Sequence, residues 1–378
     1  MKLEFDELKW YGRNFDHNEV RYFNYSLSGF EFCFTGTRAV ATILSDPSNQ
    51  KDTEHGILGL YVTELASPEK YKGDSFWNNF SFLNERGEYK EPQKIFLDKT
   101  VNECVLFESN IEKTVLIKVL KLSECAFGYA GLKSLEIQGI LRKGRIIEDT
   151  KNPKTKIEFI GDSITCGYGI EGLWEKDTFC TAQERPDKAY AFLTARALKA
   201  EFQLCSWSGI GIISNYVDPA TINLPDTHWL MPACWPYADK SGELRLHVEP
   251  HIWDERKFSP DIVVINLGTN DNSWVRGIEE RRLAYVSGLR QFIEAVHRRS
   301  PDAKICCCLG IMGQELCASV EEACKLFSMD FPSVPVKTLR FDLQKESDGI
   351  GADWHPSPVT HKKAAKQLVK ILKDWVTE

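Results

Sequence analysis

The pattern of hydrophobic and polar positions changes near residue 150 and divides the chain into two predicted domains, 1–145 and 155–378. In the first, short runs rich in aromatic and β-branched residues are separated by Gly, Asn, Asp and Pro, which predicts an all-β sandwich. The charged segment Arg145–Lys156 is predicted to connect the two domains. The predicted strands are Tyr22–Leu27, Gly29–Thr35, Ala39–Leu44, Gly56–Val62, Thr100–Glu108, Thr114–Lys121 and Ser134–Leu141.

Strands alternate with helices in the second domain. Ile157–Ile160 and Asp261–Leu267 are apolar runs typical of strands buried on both faces of a sheet. Hydrophobic residues at helical spacing predict long helices at Glu279–Arg299 and Pro358–Val376. This alternation predicts an α/β domain with a doubly wound parallel sheet between helix layers. The other predicted elements are the helices Lys188–Ala200 and Ser319–Phe327 and the strands Phe202–Ser206, Ile305–Leu309 and Val336–Phe341.

Three short fragments carry candidate chemistry. The fragment I-G-D-S-I-T-C places Ser163 directly after a predicted strand, and I-N-L-G-T-N-D places Asn270 after another. The fragment D-W-H-P-S places His355 on a loop, because Pro356 disfavours helix at the residue before it. Taken alone, the first fragment also fits a helix cap, the second an Asn-Asp turn and the third a solvated loop histidine. Together they supply a nucleophile, an oxyanion donor and a base.

The three fragments, in this order, resemble the SGNH (GDSL-type) hydrolase superfamily. Ser208–Gly211, S-G-I-G, is similar to the glycine block of that superfamily. The resemblance implies that Ser163 is the nucleophile and His355 the base. It also implies an oxyanion hole formed by the backbone N–H groups of Ser163 and Gly209 and by the side chain of Asn270.

The acid of the triad departs from the superfamily pattern. It usually stands three residues before the histidine, where this chain has Ala352, and the nearest acid is Asp353. That spacing, the intervening Trp354 and the β-rich first domain together resemble carbohydrate esterase family two, whose members are two-domain deacetylases of plant polysaccharides. The resemblance implies a jelly-roll first domain. It also implies that Asp353, or a nearby backbone carbonyl in its place, orients His355.

The function expected from this resemblance is a carbohydrate O-acetyl esterase of the acetyl xylan esterase type, acting on acetylated oligosaccharides or polysaccharides. Two alternatives stay open. One is a lipid- or thioester-directed hydrolase of the same superfamily, which would need a long apolar acyl groove. The other is a catalytically idle carbohydrate-binding protein, which the intact catalytic fragments disfavour.

Aromatic residues give candidate substrate contacts. The long segment Leu224–Trp253 is rich in Trp and Pro, and its rings fit either sugar binding or a local core. Trp274, four residues after Asn270, and Trp354, beside the predicted base, are the preferred substrate-binding candidates.

Composition excludes several other classes of function. The chain has 47 Lys plus Arg against 54 Asp plus Glu, a formal charge of −7, which argues against nucleic acid as a partner. No apolar run reaches the roughly 18 residues of a membrane helix. His247 and His251 are four residues apart, but Pro250 between them rules out a regular helix that would present both on one face. The sequence therefore predicts neither a metal nor another cofactor. The sequence predicts no oligomeric state.

The compartment is predicted from the first residues and from the cysteines. Met1–Asp6 has no positive segment followed by an apolar core, so no secretory signal is seen. The 12 cysteines contain no C-x-x-C pair, which favours buried, reduced thiols. These observations predict a cytoplasmic protein, or a secreted one if a leader has been removed.

Overall fold

Two units of structure follow one another along the chain, Met1–Lys154 and Thr155–Thr377. Most of the predicted connection, Arg145–Lys156, lies outside the described residues. A computed structural model describes residues 1–47, 51–65, 90–142, 155–218, 220 and 223–376.

The first unit is built on an antiparallel sheet, which has eight strands within the described residues and the order β2-β3-β8-β4-β7-β5-β6, with β1 paired to β4. Phe30, Phe32 and Phe34 lie on one face of β4, because side chains alternate across a strand, and they pack in the core of this unit. The strands are β1 Lys9–Tyr11, β2 Phe15–His17, β3 Val20–Tyr22, β4 Gly29–Leu44, β5 Gly56–Glu64, β6 Gln93–Leu97, β7 Val101–Lys121 and β8 Gly131–Leu141.

Two of these strands are longer than predicted. β4 joins the predicted strands Gly29–Thr35 and Ala39–Leu44, and β7 likewise joins two predicted strands into one. Register shifts in β4 between Gly36 and Arg38 mark a bulge. A Cβ on Gly36 would lie 2.1 Å from the carbonyl oxygen of Gln138, so glycine here permits close strand approach and does not end the strand. The all-β prediction is confirmed as an antiparallel sheet, and the jelly-roll arrangement stays a prediction.

The second unit has a parallel sheet of five strands within the described part of the chain, ordered β10-β9-β11-β12-β13. The predicted α/β class is confirmed. Its strands are β9 Lys156–Gly161, β10 Glu201–Ser206, β11 Ile262–Asn266, β12 Lys304–Leu309 and β13 Val336–Arg340. Its helices are α1 Ser163–Cys166, α2 Tyr190–Ala197, α3 Met231–Cys234, α4 Lys240–Arg245, α5 Thr269–Val275, α6 Glu279–Arg299, α7 Cys317–Asp330 and α8 Pro358–Leu372.

The strand order creates a crevice. The chain leaves β9 for β10 on one side, then crosses back to β11 on the other side of β9. Right-handed crossovers that run in opposite directions place their helices on opposite faces of the sheet. In agreement, the helices pack as two pairs, α2 against α8 and α6 against α7. In sheets of this kind the crevice lies at the carboxyl ends of the strands where the direction reverses. Here those are the ends of β9, β10 and β11.

The centre of this sheet is apolar on both faces. Every residue of β11 is buried, as are Cys306, Cys307 and Cys308 on β12. All 12 cysteines lie in the described residues and all are free thiols, eleven of them buried. The predicted burial of the thiols is thus confirmed for all of them except Cys180, which is half-buried. Within the described residues, we find no helix with the length and apolarity needed to cross a bilayer.

Candidate active site

Ser163 is the first residue of α1, immediately beyond β9. Asp162 caps this short helix, since its carboxylate accepts from the backbone N–H of Ile164 at 3.0 Å. Gly161 permits the sharp turn, because a Cβ there would lie 2.0 Å from the hydroxyl oxygen of Thr165. The helix-cap interpretation therefore holds for Asp162, while the Ser163 hydroxyl meets another partner.

That partner is His355. Its Nε2 lies 2.8 Å from Ser163 Oγ, and its Nδ1 lies 3.0 Å from the backbone carbonyl oxygen of Asp353. A carbonyl oxygen only accepts, so Nδ1 must carry the ring proton and donate it. Nε2 is then left to accept from the serine hydroxyl. The structure thus brings Ser163 and His355 together across 192 positions of sequence.

The carboxylate of Asp353 does not contact the imidazole, and the prediction that this carboxylate acts as the triad acid is wrong. Its Oδ2 instead accepts from the hydroxyl of Tyr168 at 2.9 Å. Asp353 has φ 50° and ψ 41°, a left-handed conformation that presents its carbonyl to His355 and its side chain elsewhere. Ala352, at the usual acid position, is buried. The alternative of a backbone carbonyl is what the structure shows.

Tyr168 connects the serine helix to the histidine loop. Its ring packs on the His355 ring, with centroids 4.5 Å apart, and stacks on Phe179 at 3.6 Å. The next residue, Gly169, accepts through its carbonyl from the N–H of Ala352 at 2.9 Å. Sequence reasoning missed Tyr168, because a tyrosine between two glycines carries no recognisable catalytic pattern. The structure makes it a residue that positions the His355 ring.

The His355 ring is neutral at physiological pH. Burial lowers its pKa to about 4, although the backbone hydrogen bonds with Asp353 and Ala352 act in the opposite direction. The side chain keeps a partly exposed edge, but protein groups surround the ring on its other sides. A neutral imidazole is the form that can take a proton from a serine hydroxyl.

The residues predicted to form the oxyanion hole lie at the ends of three adjacent strands. Gly209 follows β10 with φ +78°, and Asn270 lies in the first turn of α5, after β11. The Asn270 Nδ2 donates to the carbonyl of Ile210 at 2.9 Å, which leaves the second N–H of this amide for another acceptor. The backbone N–H of Ser163 lies in the first turn of α1, where N–H groups lack intrahelical partners.

Asp271 holds the Gly209 loop in place. Its buried carboxylate accepts from the backbone N–H groups of Ile212, Ile213 and Ser214 at 3.0, 2.7 and 3.2 Å. Burial raises the pKa of Asp271 to about 6, although the three N–H bonds oppose this shift. Sequence reasoning noticed the Asn-Asp pair but assigned no role to Asp271. Its adjacency to Asn270 was the available signal.

The two tryptophans predicted to bind substrate have different surroundings. Trp354 is 38% exposed and lies beside His355 in the sequence. Trp274 is half-buried, and the Arg281 guanidinium covers its ring at 4.8 Å while donating to its carbonyl. One face of Trp274 is therefore occupied by protein, whereas Trp354 remains accessible.

The aromatic residues of Leu224–Trp253 largely form a local core. Trp235 is buried, packs edge-on against Phe292 and donates through Nε1 to Glu158 at 3.2 Å. Trp253 is also buried. In the same segment, the ring of His251 contacts the buried carboxylate of Glu243 at 2.6 Å. These rings stabilise the long loop, which is the core interpretation considered from the sequence.

A family model matches most of the second unit, and a curated relative matches more of the chain. The model of the GDSL-like lipase/acylhydrolase family matches residues 159–363. The chain is 35% identical over 337 residues to the cellulase/esterase CelE of Acetivibrio thermocellus, covering 87% of this chain but only 38% of that protein. It is 27% identical over 292 residues to an acetylxylan esterase / glucomannan deacetylase of Cellvibrio japonicus, covering 75% of this chain and 74% of that relative.

Solved structures resemble both units. A family two carbohydrate esterase from Clostridium thermocellum, solved in complex with cellohexaose, has a TM-score of 0.75 at 28% identity. The match covers 97% of this chain and 99% of that one. An acetyl xylan esterase from the rumen bacterium Butyrivibrio proteoclasticus has a TM-score of 0.79 at 19% identity, covers 99% of this chain and 98% of its own, and shares the fold.

Proposed function

The chain belongs to the GDSL-like lipase/acylhydrolase family, and on that premise we propose that it is a carbohydrate O-acetyl esterase acting through an acyl-serine intermediate. The observation that carries the proposal is the 2.8 Å contact between Ser163 Oγ and His355 Nε2, with Nδ1 held by a carbonyl. The relatives support the choice of substrate, since one is named an acetylxylan esterase / glucomannan deacetylase.

Acylation uses both sides of the crevice. His355 Nε2 takes the proton of Ser163 Oγ as this oxygen attacks the acetyl carbonyl carbon. The carbonyl oxygen becomes an oxyanion, which accepts from the N–H groups of Ser163 and Gly209 and from the amide of Asn270. As the tetrahedral intermediate collapses, the bond to the sugar oxygen breaks. His355 returns its proton to that oxygen, and the sugar leaves with a free hydroxyl.

Deacylation reverses the proton path. A water molecule attacks the acetyl-serine carbonyl while His355 removes one of the water protons, and the same three donors hold the new oxyanion. Collapse of this intermediate releases acetate and returns the proton to Ser163 Oγ. In both steps the imidazolium is stabilised by the carbonyl dipole of Asp353, with no carboxylate in contact with the ring.

The substrate in this proposal is an acetylated oligosaccharide or polysaccharide. Trp354, exposed beside the base, offers an apolar face to a sugar ring. We also propose that the strands of the first unit form a jelly roll and that the protein is cytoplasmic. The chain spans less than half the length of the CelE relative.

Acetate release tests the proposal. The chain should release acetate from acetylated xylan, acetylated glucomannan or their oligosaccharides, and Ser163→Ala should lower kcat by about 10⁴ or more. Acetyl esters should react much faster than octanoyl esters of the same alcohol. A preference for octanoyl esters would support the lipid-directed alternative. A chain that binds sugars but neither releases acetate nor reacts with a serine-directed phosphonate would be an idle binding protein.

A further inference from the structure

A second exposed indole lies next to the histidine loop. Trp174 is 40% exposed and meets Trp354 edge to face, with ring centroids 5.2 Å apart and an interplanar angle of 77°. Leu173, beside it, is 52% exposed. Large apolar side chains that are exposed to solvent next to one another are typical of a binding site. No step of the hydrolysis described above uses Trp174.

The backbone holds Trp174 in a fixed position. Its N–H donates to the carbonyl of Ile350 at 3.1 Å, which ties this segment to the loop that carries the base. The turn that follows is closed by the N–H groups of Lys176 and Asp177, both of which donate to the carbonyl of Leu173. The Asp177 carboxylate accepts in return from the Leu173 N–H at 2.9 Å. The indole is therefore presented before any ligand arrives, which reduces the entropy lost on binding.

An open groove of about 330 Å³ lies against this indole. Its lining combines the apolar side chains Leu173, Trp174 and Ile350 with the charged side chains Glu175, Lys176 and Glu346. An aromatic face beside a few carboxylate and ammonium groups matches the surface of a sugar, which has apolar C–H faces and hydroxyls that both donate and accept.

We propose that Trp174 and this groove form a second saccharide subsite, which binds a neutral sugar unit of the same glycan chain next to the unit being deacetylated at Ser163. The inference rests on the proposed function and extends it, because it makes the substrate a chain of several sugars. The occupant follows from continuity. Trp174 lines the groove and also contacts Trp354, which precedes His355 in the chain, so a glycan held on one indole extends onto the other.

The charges of the groove argue against other occupants. Two carboxylates and one ammonium give a small net negative charge, which disfavours anionic polymers. The groove is also open to solvent and half of its lining residues are charged, whereas a long acyl chain favours an enclosed apolar channel.

Two measurements on the full chain test the subsite. In wild type and Trp174→Ala, kcat/KM should be compared on an acetylated hexasaccharide and on 4-nitrophenyl acetate. We expect a loss of about tenfold on the hexasaccharide and less than about twofold on the aryl ester. Titration calorimetry with unacetylated cellohexaose, xylohexaose and mannohexaose should show a matching loss of affinity. Trp174→Phe, which keeps an aromatic face, should recover much of both.

Trp375→Ala is the matched control, because it removes an indole packed against Lys337 at the end of α8. It should leave both measurements unchanged. Equal rates for Trp174→Ala and wild type on the hexasaccharide would overturn the subsite, as would an equal loss on both substrates or a selective loss on octanoyl esters. If wild type releases no acetate but still binds a hexasaccharide through Trp174, the esterase proposal fails and the subsite stands. If it does neither, both fail.

Discussion

At the scale of single residues, the ring of His355 is oriented by a backbone carbonyl and not by a carboxylate. The Asp353 carbonyl accepts from His355 Nδ1, while the Asp353 carboxylate accepts from Tyr168. A carbonyl fixes the tautomer as a carboxylate would, but it brings no negative charge to stabilise the imidazolium. The low pKa of His355 follows from burial of the ring, which outweighs the backbone hydrogen bonds and the nearby charge of Asp353 that raise this pKa.

Substitution of Asp353 should therefore be mild. Asp353→Asn keeps an acceptor for Tyr168 and a residue type that tolerates the left-handed conformation, so kcat should stay within about threefold of wild type. Asp353→Ala adds strain in this conformation and should cost about three- to thirtyfold. His355→Ala should cost about 10⁴ or more. The measurement is kcat on an aryl acetate, and a loss of about 10⁴ in Asp353→Asn would restore the carboxylate as a triad acid.

Tyr168 should act on the rate through His355 and not on substrate binding. Tyr168→Phe keeps the stacked ring but removes the hydroxyl that holds Asp353, so kcat should fall about three- to tenfold with KM on an aryl acetate unchanged. The proton magnetic resonance signal of the His355 Nδ1–H should also shift. Tyr11→Phe, which removes a hydroxyl–carboxylate bond to Glu31 in the other unit, is the matched control. A change in KM alone would contradict this role.

The pH profile should reflect the low pKa of the base. Catalysis needs neutral His355, whose pKa lies near 4, so kcat/KM should be lost only as the pH falls through about 4 and not near 6.5. Asp271, with a pKa of about 6, is a second group whose ionisation falls in this range. Asp271→Asn removes that ionisation, so a limb near pH 4 that persists in this variant reports His355. A limb near 6.5 in both proteins would contradict the buried, neutral base.

Stability should change over the same window. The unfolded chain binds protons at His355 and His361 below about pH 6.5. The folded chain does not bind them until about pH 4 and about pH 3, respectively. These two histidines therefore lower the free energy of unfolding as the pH falls through that range. Asp271 has the opposite effect. Its pKa is raised in the folded chain, so its protonation raises the free energy of unfolding as the pH falls. Thermal melts at each pH separate lost activity from unfolding.

At the scale of elements, the loop after β10 and the helix after β11 form one assembly. Asp271, on α5, accepts three backbone N–H groups from the segment Ile212–Ser214, just beyond Gly209. Asn270, on the same helix, donates to Ile210. The Gly209 loop and Asn270, which we propose as oxyanion donors, are thus held beside each other by two neighbouring side chains of α5.

Removal of the Asp271 carboxylate should disorder this assembly. Asp271→Ala leaves three backbone N–H groups without this acceptor, and the two buried ones, of Ile212 and Ser214, should cost roughly 1–3 kcal/mol each. We expect kcat on an aryl acetate to fall about 10²-fold with little change in KM, because the oxyanion donors act in the transition state. Hydrogen exchange at Ile212–Ser214 should accelerate. Asp261→Ala removes a carboxylate–backbone bond at the opposite end of β11 and should change neither quantity.

The bulge in β4 makes a separate prediction for the first unit. Gly36→Ala would place a Cβ 2.1 Å from the Gln138 carbonyl, so the strands must separate. A melting temperature lower by several degrees is expected, since each 1 kcal/mol shifts it by about 2–8 °C in domains of this size range. Gly56→Ala, whose Cβ would meet Leu97 at an ordinary 3.4 Å, is the control and should melt within about 1 °C of wild type. Equal melting of both variants would contradict the close approach.

At the scale of the whole molecule, the features that the sequence predicted are those encoded by residues close together in the chain. Alternating strands and helices predicted the α/β class, and Ser163, Asn270 and His355 lie in short linear fragments of recognisable chemistry. Tyr168 and Asp271 act through contacts between segments distant in sequence, and a linear pattern does not record such contacts. The long strands β4 and β7 were divided in the prediction because glycine and polar residues favour turns locally, whereas neighbouring strands extend the pairing through them.

The thiols give a prediction for the molecule as a whole. Eleven of the 12 cysteines are buried and Cys180 is half-buried. Burial raises the pKa of Cys33 and of Cys306 to about 12, which suppresses the reactive thiolate. A thiol reagent should modify Cys180 alone in the native chain and all 12 after denaturation, with Cys180→Ser as the control. Dithiothreitol should leave the melting temperature unchanged, and a lower value would reveal a disulfide.

The distance of 192 positions between Ser163 and His355 has a consequence for biosynthesis. A ribosome makes the serine helix, the glycine loop and the asparagine helix first, and adds the base near the end of this unit. Domains fold as they emerge, at about 5–20 residues per second, so the serine waits roughly 10–40 s for its partner. During that interval the nascent chain has Ser163, Gly209 and Asn270 but lacks His355. The proposed esterase site is complete only when α8 packs against α2 and the histidine loop reaches Ser163.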